Sequence, residues 1–296
     1  HSDVAGNTDL DSTTVVKDTV RPTVSIGSPS ATPINSSGSS MFTLTYEVAP
    51  SPALVSGDIT VTGAGGVTCT TVNIADGATT TPDVTVSGCS GNGSFTISVA
   101  AAQSADTAGN TDAGAGPSSS VTVDNTLPTV SLTSTPVINI ANASSYTVSG
   151  TCSENGRTVS VSVGGTVNAT PTCTSNAFTA SGLNVSGISD SGSVSVTANH
   201  SDAAGNNATQ ASTTVVKDTV RPTVSIGSPS STLINSSGST MFTLTYEVAP
   251  SPALATGDIT VTGSGGVSCS TVNVADGGTT TPDVTVSGCS GNGSFT

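Results

Sequence analysis

Asp18-Thr19-Val20-Arg21-Pro22-Thr23-Val24-Ser25-Ile26 is met again as Asp124-Asn125-Thr126-Leu127-Pro128-Thr129-Val130-Ser131-Leu132, and then unchanged from Asp218 to Ile226. Each copy opens on an aspartate, passes a proline and enters a run in which Val or Ile alternates with Thr or Ser. Proline fixes φ and removes a backbone donor, which suits the entry to a strand. Period-2 alternation of β-branched and hydroxyl side chains is the pattern of a half-buried strand. Each copy therefore marks the start of a β unit.

Working outward from these starts, residues 12–96 align with 212–296 without a gap and match at 75 of 85 positions. The repeat exceeds one small domain, and the middle start divides it. The resulting order is the tail of a B-type domain (1–17), an A-type domain (18–123), a B-type domain (124–217) and a second A-type copy (218–296). Equivalents of residues 97–123 do not follow in that second copy, so it lacks its final strand and much of the one before. The chain opens His1-Ser2-Asp3 with neither an initiator Met nor a signal sequence and reads as an internal window on a longer array. The alternative is a strand-donating polymer, in which residues 1–17 of one chain complete the last domain of another.

Alternating segments punctuated by Gly, Pro, Asn and Asp predict strands near 22–27, 41–48, 58–63, 66–73, 82–88, 94–101 and 118–123 in the A type. In the B type they predict strands near 128–133, 145–151, 157–163, 166–173, 177–183, 192–199 and 211–217. Seven short strands in about 100 residues is the count of an immunoglobulin-like β-sandwich with Greek-key connections. The fold class is all-β, tandem sandwiches in a linear array; a β-solenoid would repeat every 20 or so residues, and no such period is visible. Charged residues make up 8% and aromatic residues 3%, with no Trp, so each core is thin. Val and Ile must fill it, with Phe42, Phe95, Phe178 and Phe242 as the bulkier side chains.

The six cysteines fall two to a domain: Cys69 with Cys89, Cys152 with Cys173, Cys269 with Cys289. A metal site would want thiols clustered at short spacing or histidines nearby. The even partition reads as intradomain disulfides, with free buried thiols and metal as the weaker alternatives. Closing a loop of this size stabilises a weakly cored domain by roughly 3 kcal/mol and implies an oxidising compartment, hence a secreted or cell-surface protein.

A formal net charge of −14 with five Lys and Arg argues against nucleic acid and anionic membranes as partners, and cations are the natural counterpart. No apolar run is long enough to cross a bilayer. The carboxylates have one recurring arrangement, Asp-x-Ala-Gly-Asn, at Asp3–Asn7, Asp106–Asn110 and Asp202–Asn206. In a sandwich this would be the loop between the last two strands, facing the linker that enters its own domain. That groups Asp106 and Asn110 with Asp18, and Asp202 and Asn206 with Asp124. The loop after the second strand would add Glu47 and Asp58 in the A type, Glu154 in the B type, and Asp218 and Glu247 would repeat the set in the second A copy. Several carboxylates and an amide oxygen converging at one joint suit Ca2+, a structural ion that would stiffen it. The other reading is a plain turn, made by Gly-Asn and capped by Asp through local backbone bonds.

No catalytic site is expected. His1 and His200 occupy matching repeat positions, with no recurring nucleophile beside them, and read as surface or turn histidines. Asn-x-Ser/Thr occurs at Asn35, Asn142, Asn168 and Asn207, a count expected in a chain so rich in Ser and Thr.

Ser201-Asp202-Ala203-Ala204-Gly205-Asn206, followed by the stretch from Thr213 to Val224, resembles the bacterial immunoglobulin-like repeats of very large surface adhesins and biofilm-associated proteins. So does Ser149-Gly150-Thr151-Cys152-Ser153-Glu154 running into Thr158-Val159-Ser160-Val161. Phe42-Thr43-Leu44-Thr45-Tyr46-Glu47-Val48 with Gly57-Asp58-Ile59-Thr60-Val61 is similar to a second repeat type of those proteins. The resemblance implies an extended stalk that carries a binding tip away from the cell, often with calcium at the joints. Its partners would be neighbouring repeats of the same array. Two other roles compete: a self-assembling extracellular filament or sheath held by contacts between copies of the chain, and a glycan-binding module. Three tyrosines and no Trp give the last little to work with.

Overall fold

The computed structural model describes residues 1–8 and 10–296. The chain divides into two compact units, His1–Lys217 and Asp218–Thr296. Among the described residues there is no α-helix, only two short 3-10 turns at Ser56–Asp58 and Thr256–Asp258.

In the first unit, residues 24–123 build one sandwich. Its strands are β1 (Val24–Ile26), β2 (Ser39–Tyr46), β3 (Ile59–Ala64), β4 (Thr68–Ala75), β5 (Asp83–Ser90), β6 (Gly93–Val99) and β7 (Val121–Val123). They pair as β1-β2-β5-β4 in one sheet and β3-β6-β7 in the other, the strand order of a seven-stranded immunoglobulin-like sandwich. The seven expected segments all appear, displaced by a few residues at their ends. On β2, Ser40, Phe42, Leu44 and Tyr46 face inward while the intervening residues face solvent. Phe42 meets Phe95 of the opposite sheet edge-on, ring centroids 6.4 Å apart, and this contact bridges the two layers. Ile97, Val99, Val121 and Val123 close the core on the far side.

Cys69 and Cys89 lie directly opposite one another on β4 and β5 and form a disulfide. Gly88 takes φ +64° between the inward residues Val86 and Cys89, which changes the phase of the strand and turns the thiol into the core. A Cβ there would stand 2.6 Å from the Thr70 hydroxyl, so both the angle and the space call for glycine.

The B-type sandwich differs from its neighbour. Its strands are β8 (Val130–Ser134), β9 (Ile138–Asn139), β10 (Tyr146–Cys152), β11 (Val159–Val163), β12 (Val167–Ala169), β13 (Ala177–Leu183), β14 (Ser191–His200) and β15 (Ala211–Asp218). The sheets read β13-β10-β8 and β12-β11-β14-β15-β9. Two features differ from expectation: a short extra strand, β9, follows β8 and joins the other sheet, and the strand expected near 166–173 is only three residues long and pairs with β11. Pro171 interrupts this segment, and Cys173 is tied to Cys152 at the end of β10. Tyr146 is fully buried and its hydroxyl donates to the Pro136 carbonyl at 2.6 Å.

The second unit repeats the first sheet of the A type as β16 (Val224–Ile226), β17 (Ser239–Tyr246), β19 (Ser268–Ala275) and β20 (Asp283–Ser290), with the Cys269–Cys289 disulfide in the same register. Its second sheet is a pair of two-residue strands, β18 (Gly263–Ser264) and β21 (Ser294–Phe295). Only Leu244, Val284 and Val286 are buried apolar residues here, and Phe242 and Ile259 line an open apolar groove. Two nearly identical sequences therefore sit in a closed core and an open one. Hydrogen exchange measured on the whole chain is expected to protect amides of β17 less than those of β2; equal protection would show that the groove is filled in solution.

Candidate functional site

The Asp-x-Ala-Gly-Asn motif folds into the same five-residue turn at all three positions. In Asp106–Asn110, one carboxylate oxygen of Asp106 accepts the backbone N–H of Ala108 and of Asn110, both at 2.9 Å. The other accepts the Asn110 side-chain amide at 2.9 Å. Gly109, at φ +88°, supplies the left-handed position. Asp3–Asn7 and Asp202–Asn206 repeat the amide-to-carboxylate bond at 2.8 and 2.7 Å. These bonds hold the carboxyls of Asp3 and Asp106 below the usual aspartate range, with the Asn side-chain bond as the largest cause.

The same asparagine reaches the linker that enters its domain. Asn110 donates to the Asp18 carbonyl at 3.3 Å and Asn206 to the Asp124 carbonyl at 2.8 Å. In the B-type domain the two ends of the turn, Asp202 and Asn206, are buried. Arg157 adds a second brace: its guanidinium donates to the carbonyls of Asp202 at 2.6 Å and Ser201 at 3.4 Å.

The expected gathering of carboxylates is not found. Glu47 accepts the backbone N–H of Thr23 at 3.0 Å, and Glu247 repeats this with Thr223 at 3.1 Å. Asp58 and Asp258 cap their own 3-10 turns through Val55 and Ala255. Asp18, Asp124 and Asp218 each accept the N–H two residues on, from Val20, Thr126 and Val220. Glu154 accepts the Ser153 hydroxyl. Among the described residues no three His, Cys, Asp or Glu side chains are placed to hold a metal ion. The aspartates accept backbone N–H groups of their own turns, Glu47 and Glu247 accept those of Thr23 and Thr223 across the strand entry, and the Asn206 amide donates to both Asp202 and the Asp124 carbonyl. The donor set does not fit calcium as expected.

Three buried polar residues were not predicted to be structural: His200 and Lys217 in the B-type sandwich and Asp112 in the A-type one. His200 is 3% exposed, not a surface residue. Its Nδ1–H donates to the Thr158 carbonyl at 3.0 Å, which fixes the tautomer and leaves Nε2 to accept the Glu154 N–H at 3.2 Å. Asp112 is fully buried and accepts the Ser104 N–H at 2.6 Å and the Gly114 N–H at 2.9 Å. It lies close enough to Tyr46 that, with burial as the first cause and Asp58 adding to it, the phenol is pushed up to about 12. Lys217, also buried, pairs with Asp190 at 2.7 Å and pins the end of β15. Of the asparagines in Asn-x-Ser/Thr, Asn35 is buried.

No family model matches the chain, and no curated protein does. Among solved structures it is similar to the fibronectin(III)-like modules of CbhA from Clostridium thermocellum, at 16% identity and a TM-score of 0.35, covering 66% of this chain and 95% of that one. It is also similar to the Escherichia coli adhesin FdeC, at 15% identity and a TM-score of 0.33, covering 93% and 90%. A third is a tetra-tandem repeat from the extending region of a large adhesion protein, at 20% identity and a TM-score of 0.30, covering 77% and 57%.

Replacing His200 by Phe keeps the bulk but removes the partner of the Glu154 N–H and of the Thr158 carbonyl, both in part-buried bonds. The expected loss is about 1–3 kcal/mol in urea unfolding, and an unchanged midpoint would refute the assignment. The turns carry a pH signature of definite sign. Because the folded carboxyl of Asp106 is lowered, its contribution is complete above the usual value of 3.8 and fades only as pH falls through the lower folded value. The side-chain amide resonance of Asn110 is expected to titrate with a midpoint below 3.8, and a midpoint at or above it would remove the bond from the account.

Proposed function

We propose that the chain is a structural segment of an extracellular stalk or fibre, in which tandem sandwiches set length and stiffness and carry no chemistry of their own. The observation that supports this most is the path of the chain through the A-type domain. It enters beside the turn at Asp106–Asn110 and leaves at Asp124 and Asn125 beside Ser36, Gly91 and Asn92, at the opposite end of the sandwich. A domain entered at one end and left at the other transmits tension along its length. Three disulfides support an oxidising, extracellular or surface setting. The polar faces offer hydroxyls and no aromatic platform.

Single-molecule stretching tests this reading. Each complete domain is expected to unfold in one resolved event, and reduction is expected to lengthen each event by about 70 Å, since a separation of 20 residues is released at roughly 3.5 Å each. Chains that extend without resolved events would end the mechanical reading. Concentration-dependent polymers in sedimentation would favour the filament, and retention on immobilised glycans would favour a binding module.

A further inference from the structure

The linker between the A-type and B-type sandwiches is gripped from both sides at one peptide group. The carbonyl of Asp124 accepts the side-chain amide of Asn206, which belongs to the B-type domain, at 2.8 Å. The N–H on the other side of that same peptide bond, that of Asn125, donates to the Asn92 side chain of the A-type domain at 2.6 Å. A peptide unit is planar, so no rotatable bond lies between the two anchors.

The side chain of Asn125 adds two more bonds to the A-type domain. Its oxygen accepts the Ser36 N–H at 2.6 Å and its amide donates to the Gly91 carbonyl at 2.7 Å. Asp124 N–H donates to the Ile34 carbonyl at 2.9 Å, which continues the ladder of β7 into the linker. On the B side, both protons of the Asn206 amide are used, one on Asp202 and one on Asp124. The turn itself approaches the A-type domain: a Cβ on Gly205 would lie 3.5 Å from the Asn35 amide.

We infer that the A and B sandwiches form one rigid pair, locked at the peptide between Asp124 and Asn125 by amides and not by a cation. At the linker that enters the A-type domain Asn110 holds Asp18, but residue 19 is Thr, whose side chain has no amide with which to make the contacts of Asn125. Stiffness is thus assigned to the A-to-B joint. The inference rests on the stalk reading for its purpose but not for its test, because the lock is measured between two domains whatever the array does.

The test uses the full chain with spin labels introduced as unnatural amino acids at the exposed residues Thr60 and Ser160, sparing the cystines. A narrow distance distribution is expected, the same with Ca2+ or with chelator. Asn125→Thr, which leaves both cores untouched, is expected to broaden it about twofold, towards the mobility usual between domains. Asn206→Ala should do the same, and unchanged disulfides and thermal transitions of both variants confirm that the domains remain folded. A native distribution that is broad in chelator and narrows with Ca2+ overturns the proposal, as does a width unchanged by Asn125→Thr. Failure of the stretching experiment with this lock intact would instead count against the stalk alone.

Discussion

A sandwich with two phenylalanines, no tryptophan and many valines gains little from packing compared with what it must spend to order its backbone. That shortage of apolar bulk governs the rest of the molecule. The edge-to-face contact of Phe42 and Phe95 joins the two layers at one point, and valines of modest size fill around it. Stability has to be supplemented by bonds that do not depend on bulk: a cystine in each sandwich, and side-chain oxygens and amides that satisfy the backbone wherever it leaves a sheet.

The acidic side chains take part in this supplement. Carboxylates are costly where they repel and useful where a turn presents unpaired N–H groups. Here the second condition is met at nearly every aspartate for which a metal role was considered. The asparagine of each turn then does two things at once, fixing its own aspartate and reaching the incoming linker. A motif that looks like a ligand set in one dimension is a self-satisfied turn in three.

Much of this was legible from the residues. The proline-led starts located the domains' first strands, alternation located the strands of the A-type sandwich, and the even division of cysteines agrees with the three bridges observed. The placement of Asn110 against Asp18 and Asn206 against Asp124 follows from topology alone. What was not legible depended on competition between partners. Whether a carboxylate faces a cation or its own backbone is decided by turn geometry, which Gly109 and Gly205 set through φ. The burial of His200 could not be read from a sequence position it shares with the exposed His1. Nor did alternation show that β12, which ends before Pro171, would pair in the other sheet from β4, its counterpart in the A type.

That change of sheet has a consequence for how the array assembles as it is synthesised. Neighbouring domains with identical strand orders offer each other interchangeable partners, and long-lived mispairing is a hazard of repetitive β chains. Here the segment after β3 belongs with β5, whereas the segment after β11 belongs with β11 itself. A strand from one sandwich arriving early at the next finds the wrong neighbour, the wrong length and a cysteine in the wrong place. Alternation of two architectures thus leaves neighbouring domains with unlike strand partners to offer one another.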